Sequence, residues 1–91
     1  MKYHLPESPE ARAEVWRESL RRIDQARWHV GAERIQLDLA IIDLENREAM
    51  GETLRSERSA LKKREIENRM KELCLDDQEL KLMEAIHDLS I

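Results

Sequence analysis

Apolar residues recur at every seventh position through the first half of the chain. The series consists of Trp16, Ile23, Val30, Leu37 and Leu44. Seven residues make almost two turns of an α-helix, so these side chains lie along one side of a helix as a coiled-coil seam. The pattern predicts a long helix that packs lengthwise against another helix.

The composition favours the same fold class. Of the 91 residues, 41% are hydrophobic, 40% are charged and 3% are aromatic, with two Gly and two Pro. Scarce turn residues and aromatics disfavour a β-sandwich, whereas many Leu, Glu, Arg and Ala residues are typical of long helices. A chain of this length buries a small share of its surface, and Cys74, the only cysteine, cannot form an intrachain disulfide. We expect helix packing, together with self-association, to stabilise it.

Capping residues define the first helix. Ser8 can accept a hydrogen bond from the first turn, and Pro9 suits the first helical position. Gly51 can adopt the left-handed conformation that ends many helices. We therefore predict a helix over residues 9–50 and a second one over residues 52–73, with Thr53 or Ser56 as its cap. One continuous helix through residue 73 is the alternative, because single glycines are tolerated inside helices.

A further break is predicted near residue 76. Asp76 and Glu79 have the spacing of a capping box, and Leu75 and Leu80 have the spacing of a hydrophobic staple. This pattern predicts a short third helix over residues 77–89. The predicted fold is all-α: a long N-terminal helix, a break near Gly51, a second helix folding back as a hairpin and a short C-terminal helix. Residues 1–8 form a tail and residues 9–91 a single domain.

A second apolar series lies on another side of the first helix. It begins at Trp28, advances by alternate steps of four and three, and includes Ala32, Ile35, Leu39, Ile42, Asn46 and Ala49. A helix with apolar residues on two sides requires at least two neighbours.

The second half of the chain can supply one of these neighbours. Its own seven-residue series consists of Leu54, Leu61, Asn68, Leu75, Leu82 and Leu89, and a second group consists of Ile66, Met70, Leu73 and Leu80. The many charges around Leu54 and Leu61 leave intrachain coverage incomplete. We therefore expect a coiled-coil-like or helical-bundle oligomer, with a two-fold dimer favoured.

The candidate protein-interface residues belong to these two series or lie between them. They are Trp16, Arg27, Trp28, Arg34, Ile35, Leu39 and Ile42. Trp and Arg are over-represented among residues that dominate binding energy, although both tryptophans also suit core packing. Arg27 and Arg34 occupy intermediate positions of the first seam, where they can cover apolar surface, pair across a dimer or set the register.

Residues 54–71 carry a net charge of 7 − 3 = +4, while the whole chain carries −4. The cations of this segment are Arg55, Arg58, Lys62, Lys63, Arg64, Arg69 and Lys71. They could follow a phosphate backbone, but the segment has no aromatic residue for base stacking. Nucleic-acid contact is therefore the rival interpretation, an acidic protein partner is another, and a solvated or ion-paired face is the simplest.

The sequence shows no pattern typical of catalysis or of a cofactor. Glycine-rich phosphate loops and nucleophile motifs are absent, and His29–Glu33 and Glu84–His87 are isolated pairs of possible metal ligands. We expect no enzyme activity, no metal and no cofactor, and we expect Cys74 to be structural. The N-terminus lacks the apolar stretch of a signal peptide, and the longest apolar run, residues 39–42, is too short for a membrane span. A soluble, cytoplasmic chain is expected.

These features favour a small interaction protein that binds another protein by helix-on-helix burial, as an adaptor, chaperone or inhibitor. Trp28, Ile35, Leu39 and Ile42 would be its anchors, with Arg27 or Arg34 setting specificity. The alternatives are a nucleic-acid-binding regulator that uses residues 55–71 and a structural scaffold or filament component.

Overall fold

The computed structural model describes the backbone of residues 8–90 and the side chains of residues 8–88. Within that range the chain forms two α-helices, α1 (Pro9–Ala49) and α2 (Arg55–Ser90). They pack antiparallel in a hairpin of 64 × 19 × 19 Å. The all-α hairpin fold is thereby confirmed. The predicted tail, apart from Ser8, and the side chain of Leu89 lie outside the described residues.

Helix α1 begins where the capping pattern predicts. The Ser8 hydroxyl accepts a hydrogen bond from the Ala11 N–H at 3.5 Å and donates one to the Glu10 carboxylate at 2.8 Å. Pro9 occupies the first helical position, where its missing N–H costs nothing. The hydrogen bond from Ser8 lowers the pKa of Glu10, so a negative charge is favoured at the positive end of the helix dipole.

The turn between the helices depends on Gly51, which has a φ angle of +99°. The Gly51 N–H donates to the Glu48 carbonyl oxygen at 3.0 Å, and the Glu52 N–H donates to the Arg47 carbonyl oxygen at 3.2 Å. This pair of bonds is a Schellman motif, which ends a helix by satisfying two of its last carbonyl groups. The predicted break at Gly51 is correct.

Helix α2 begins at Arg55, three residues later than expected, because residues 52–54 cross from one helix axis to the other. Its first hydrogen bond runs from the Arg58 N–H to the Leu54 carbonyl oxygen, at 2.8 Å. The Leu54 side chain is buried, so the crossing segment closes the end of the core.

The predicted break near residue 76, and with it a separate C-terminal helix, is wrong. Helix α2 continues through Asp76 to Ser90. In a continuous helix the N–H groups of this region donate to carbonyl groups one turn earlier, so no side-chain cap is needed. The Asp76 carboxylate instead accepts a hydrogen bond from Arg27 of α1 at 2.7 Å. Continuity also keeps Leu75 and Leu82 on one side of the helix, where Leu75 is buried.

The core consists of the two seven-residue series, one from each helix, facing each other. Its most buried members are Ile23, Val30, Leu37, Leu44, Leu54, Asn68 and Leu75. The register is fixed where the Asn68 side-chain amide donates to the Val30 carbonyl oxygen at 3.0 Å. Since both series step by seven in opposite directions, Ile23 lies level with Leu75 and Leu44 lies level with Leu54.

Ion pairs line both edges of this seam. On one edge Arg27 pairs with Asp76 and Glu79, Arg34 pairs with Glu72 at 3.7 Å, and Arg58 pairs with Glu48. On the other edge Arg47 pairs with Glu57 at 3.0 Å and Lys71 pairs with Glu33 at 3.2 Å. Exposed pairs of this kind each contribute little to stability. Their repeated opposite signs nevertheless disfavour other registers of the hairpin.

Candidate protein-binding faces

Helix α1 exposes a row of large apolar side chains on the side that faces away from α2. We call Trp28, Ile35, Leu39 and Ile42 the α1 outer stripe; their exposed fractions are 71%, 63%, 61% and 54%. Each residue follows a buried seam residue by two or five positions. At 3.6 residues per turn these offsets place a side chain on the opposite side of the helix. The second apolar series of the sequence therefore remains uncovered by the rest of the described chain.

Acidic residues flank the α1 outer stripe. The positions immediately before and after the buried seam residues lie at the sides of the helix, between its two apolar faces. Between residues 24 and 45 these positions include Asp24, Asp38, Asp43 and Glu45, all exposed, and contain no Lys or Arg. The face is therefore an apolar strip with an acidic rim. His29 is also at the rim, and its ring meets Trp28 edge-on with the ring centroids 5.3 Å apart.

Helix α2 carries a corresponding strip on its own far side. We call Ile66, Met70, Leu73 and Leu80 the α2 outer stripe; their exposed fractions are 55%, 64%, 53% and 57%. Because each stripe points away from the other helix, the two lie on opposite sides of the hairpin. Each is a separate candidate face for helix packing.

The flanks of the α2 outer stripe carry both signs of charge. One side has Lys62, Arg69 and Asp76, and the other has Glu67 and Lys81. Lys81 pairs with Asp77 at 2.9 Å within the helix, and this carboxylate raises the pKa of Lys81. The mixed pattern contrasts with the flanks of the α1 outer stripe, where Asp and Glu occur and Lys and Arg do not between residues 24 and 45.

The other interface residues predicted from the sequence lie elsewhere. Trp16 is half-buried at the open end of the hairpin, in a groove of about 610 Å³ that Leu75 and Leu82 also line. Arg27 and Arg34 lie beside the seam and not on the α1 outer stripe. Their guanidinium groups therefore reach α2 carboxylates. The structure thus brings Trp28, Ile35, Leu39 and Ile42 together and separates them from Trp16, Arg27 and Arg34.

Carboxylates bind several cations of the basic segment. Arg58 pairs with Glu48, Arg69 with Glu72 at 3.0 Å and Lys71 with Glu33. The bond from Arg58 lowers the pKa of Glu48, which keeps this pair charged. The remaining cations are Arg55, Lys62, Lys63 and Arg64, which are exposed. Successive residues of a helix point in different directions, so these four do not form a single row.

The residues of the α2 outer stripe were not predicted as an interface, although their helical spacing is visible in the sequence. The apolar residues at 66, 70, 73 and 80 follow the four-and-three spacing of one helix side. The assumed break at Asp76 divided that pattern between two helices. With α2 continuous, the four residues form one row.

Within the described residues, no group of three or more His, Cys, Asp or Glu side chains is arranged to hold a metal ion. Neither helix, as far as it is described, contains a stretch apolar enough to cross a membrane. The fold and its faces define a two-helix antiparallel hairpin packed along its two seven-residue series. No protein-family model, curated protein or solved structure matches the chain.

Proposed function

We propose that the chain is a non-catalytic protein-binding module whose docking face is the α1 outer stripe. Its occupant is an amphipathic helix of another protein, with apolar residues along one side and Lys or Arg on both flanks. The observation that carries the proposal is the row of Trp28, Ile35, Leu39 and Ile42, each more than half exposed, between acidic flanks.

Helix-on-helix burial supplies the binding energy in this proposal. Full burial of a side chain of this size is worth about 1.5–3 kcal/mol, so covering the exposed portion of each contributes roughly 1–2 kcal/mol. Trp28 is the most exposed of the four, and Trp is enriched among binding hot spots. The acidic flanks favour a basic partner and disfavour an acidic one, which gives specificity and a faster encounter. The role is that of an adaptor, chaperone or inhibitor, and the single thiol suits the reducing cytoplasm.

Two synthetic helices test the proposal. Both carry Leu and Ile along one side; one has Lys on its flanks and the other has Glu. We expect fluorescence anisotropy to show at least tenfold tighter binding of the Lys-flanked helix, with a further loss of at least tenfold in Ile35→Asp or Leu39→Asp. Each substitution adds negative charge, so simple attraction between opposite charges would strengthen binding instead. Lys62→Glu, on α2, is the matched control and should bind as the wild type does. Equal binding of both helices, or unchanged binding by Leu39→Asp, contradicts the proposal.

The rival functions give different results. A nucleic-acid-binding regulator retains duplex DNA or RNA at low salt, with affinity that falls steeply as salt rises. In that case Lys62→Glu weakens binding and Leu39→Asp does not. A scaffold or filament component gives a mass that grows without limit as the protein concentration rises.

A further inference from the structure

We propose that the α2 outer stripe is a self-association face. Its occupant is a second copy of the chain, whose own α2 packs against it in the antiparallel direction about a two-fold axis at Leu73. The face is distinct from the α1 outer stripe, so this proposal does not rest on the proposed function.

The spacing of the α2 outer stripe suits two-fold pairing. Ile66 and Leu80 lie seven residues before and after Leu73. When two antiparallel α2 helices meet at Leu73, Ile66 of each copy therefore faces Leu80 of the other. Met70 lies next to Asp77 of the second copy, whose carboxylate already pairs with Lys81 of its own helix at 2.9 Å. All four apolar residues of both copies are covered in a closed, isologous interface.

The charges beside the stripe are complementary under the same symmetry. Glu67 and Lys81 lie on one side of the helix at nearly equal distances from Leu73, so Glu67 of each copy faces Lys81 of the other. Arg69 and Asp76 are placed in the same way on the opposite side. Among the described residues Glu67 has no ion pair within its own chain. Each pairing occurs twice, and opposite charges flank the whole seam.

Lys63 and Glu84 extend this complementarity along the apolar side. Lys63 lies ten residues before Leu73 and Glu84 lies eleven residues after it. Lys63 of each copy therefore faces Glu84 of the other copy. Both side chains are exposed. Pairs of opposite charge at the ends of a seam set the direction and register of pairing more than its strength.

Pairing two α1 outer stripes with each other brings like charges together. Two α1 outer stripes that meet antiparallel at Leu39 place Asp38 of one copy beside Asp38 of the other. Like charges across a helix pair select against a pairing. The two-fold α2 pairing avoids this conflict and leaves an α1 outer stripe exposed on each outer side, so the dimer has two docking faces.

Charge reversal with mixing tests the pairing directly. Glu67→Lys alone places Lys against Lys81 of the second copy, and Lys81→Glu alone places Glu against Glu67. We expect sedimentation velocity to show a dimer of the 10.8-kDa wild-type chain and at least tenfold weaker association in each variant alone. An equimolar mixture of the two variants restores both opposite-charge contacts in the mixed dimer. It should therefore recover wild-type association.

Two matched apolar variants identify the helix that forms the interface. Leu73→Asp should give a monomer, whereas Leu39→Asp, at a comparably exposed site on α1, should remain dimeric. Circular dichroism verifies that both variants stay helical. Cys74, beside the axis and exposed, supplies a second readout. A short bismaleimide should join two wild-type chains but not two Glu67→Lys chains. A monomeric wild type, a mixture that fails to associate, or loss of the dimer in Leu39→Asp rather than Leu73→Asp overturns the proposal.

Discussion

Replacing Asn68 with Leu should stabilise the hairpin, and replacing it with Asp should destabilise it. Asn68 is 2% exposed, and its amide donates to the Val30 carbonyl oxygen at 3.0 Å. Leu has nearly the same shape, and the Val30 carbonyl keeps the hydrogen bond it accepts within α1. Asn68→Leu therefore loses a net hydrogen-bond contribution of about 0.5–1.5 kcal/mol and gains about 1.5–3 kcal/mol from apolar burial. We expect it to be more stable by about 1 kcal/mol.

Asn68→Asp should have the opposite effect. An ionised carboxylate cannot donate to the Val30 carbonyl and is costly to bury, so we expect a loss of roughly 3 kcal/mol at neutral pH. Burial raises the pKa of this introduced carboxyl above its unfolded value. Its deficit relative to the wild type is therefore smallest below about pH 4 and grows as the pH rises through the folded-state pKa.

Urea denaturation of dilute protein measures both effects, and a gain of 1 kcal/mol corresponds to a rise in melting temperature of about 4–8 °C. Asn68→Leu less stable than the wild type would refute this reasoning. It would show that the buried hydrogen bond outweighs the apolar contact.

Three further predictions concern the turn and the ion pairs. Gly51 has a φ angle of +99°, so Gly51→Ala should lower the melting temperature through about 1–2 kcal/mol of backbone strain. Gly31 has open space around it, so Gly31→Ala should raise the stability by up to about 1 kcal/mol. Equal effects of the two substitutions would contradict the left-handed cap. Arg58 lowers the pKa of Glu48. The Glu48–Arg58 ion pair therefore contributes fully to the stability of the fold above the unfolded-state pKa of Glu48, and this contribution is lost as the pH falls through the folded-state pKa. Glu48→Gln should consequently show a shallower loss of stability on acidification, and an unchanged acid profile would argue against the pair. Arg27→Ala should shift the urea midpoint only slightly, because its ion pairs with α2 are partly exposed and screened by water. A midpoint shift as large as that of a buried core substitution would contradict this expectation.

Much of the hairpin follows from spacing and capping in the sequence. The seven-residue series through Leu37 is a long-range pattern that only helix-on-helix packing satisfies, and Ser8 and Gly51 mark helix ends by local chemistry. The prediction of a break at Asp76 was wrong because a capping-box spacing shows only that a helix could begin there. It does not show that the preceding helix ends. The partner of its carboxylate, Arg27, is 49 residues away, and no local pattern reveals such a contact.

The faces were only partly predictable for the same reason. The apolar spacing from Trp28 to Ile42 predicted a second packing side on the first helix, and the exposed fractions of these residues agree with an uncovered row. The sequence could not show which seam α2 covers, because both seams have suitable periodicity. Arg27 and Arg34 were predicted as interface residues from their spacing along the first helix. Only the register of the hairpin reveals that they pair with carboxylates of α2.

Acrylamide quenching of Trp28 fluorescence measures most directly whether the α1 outer stripe is open in the hairpin and becomes covered on binding. A Trp16→Phe variant leaves Trp28 as the only tryptophan. We predict efficient quenching in the free protein, as its 71% exposure requires, and strong protection when the Lys-flanked helix is saturating. Protection of Trp28 in the free protein, or unchanged quenching at saturation, would contradict a docking role for this face.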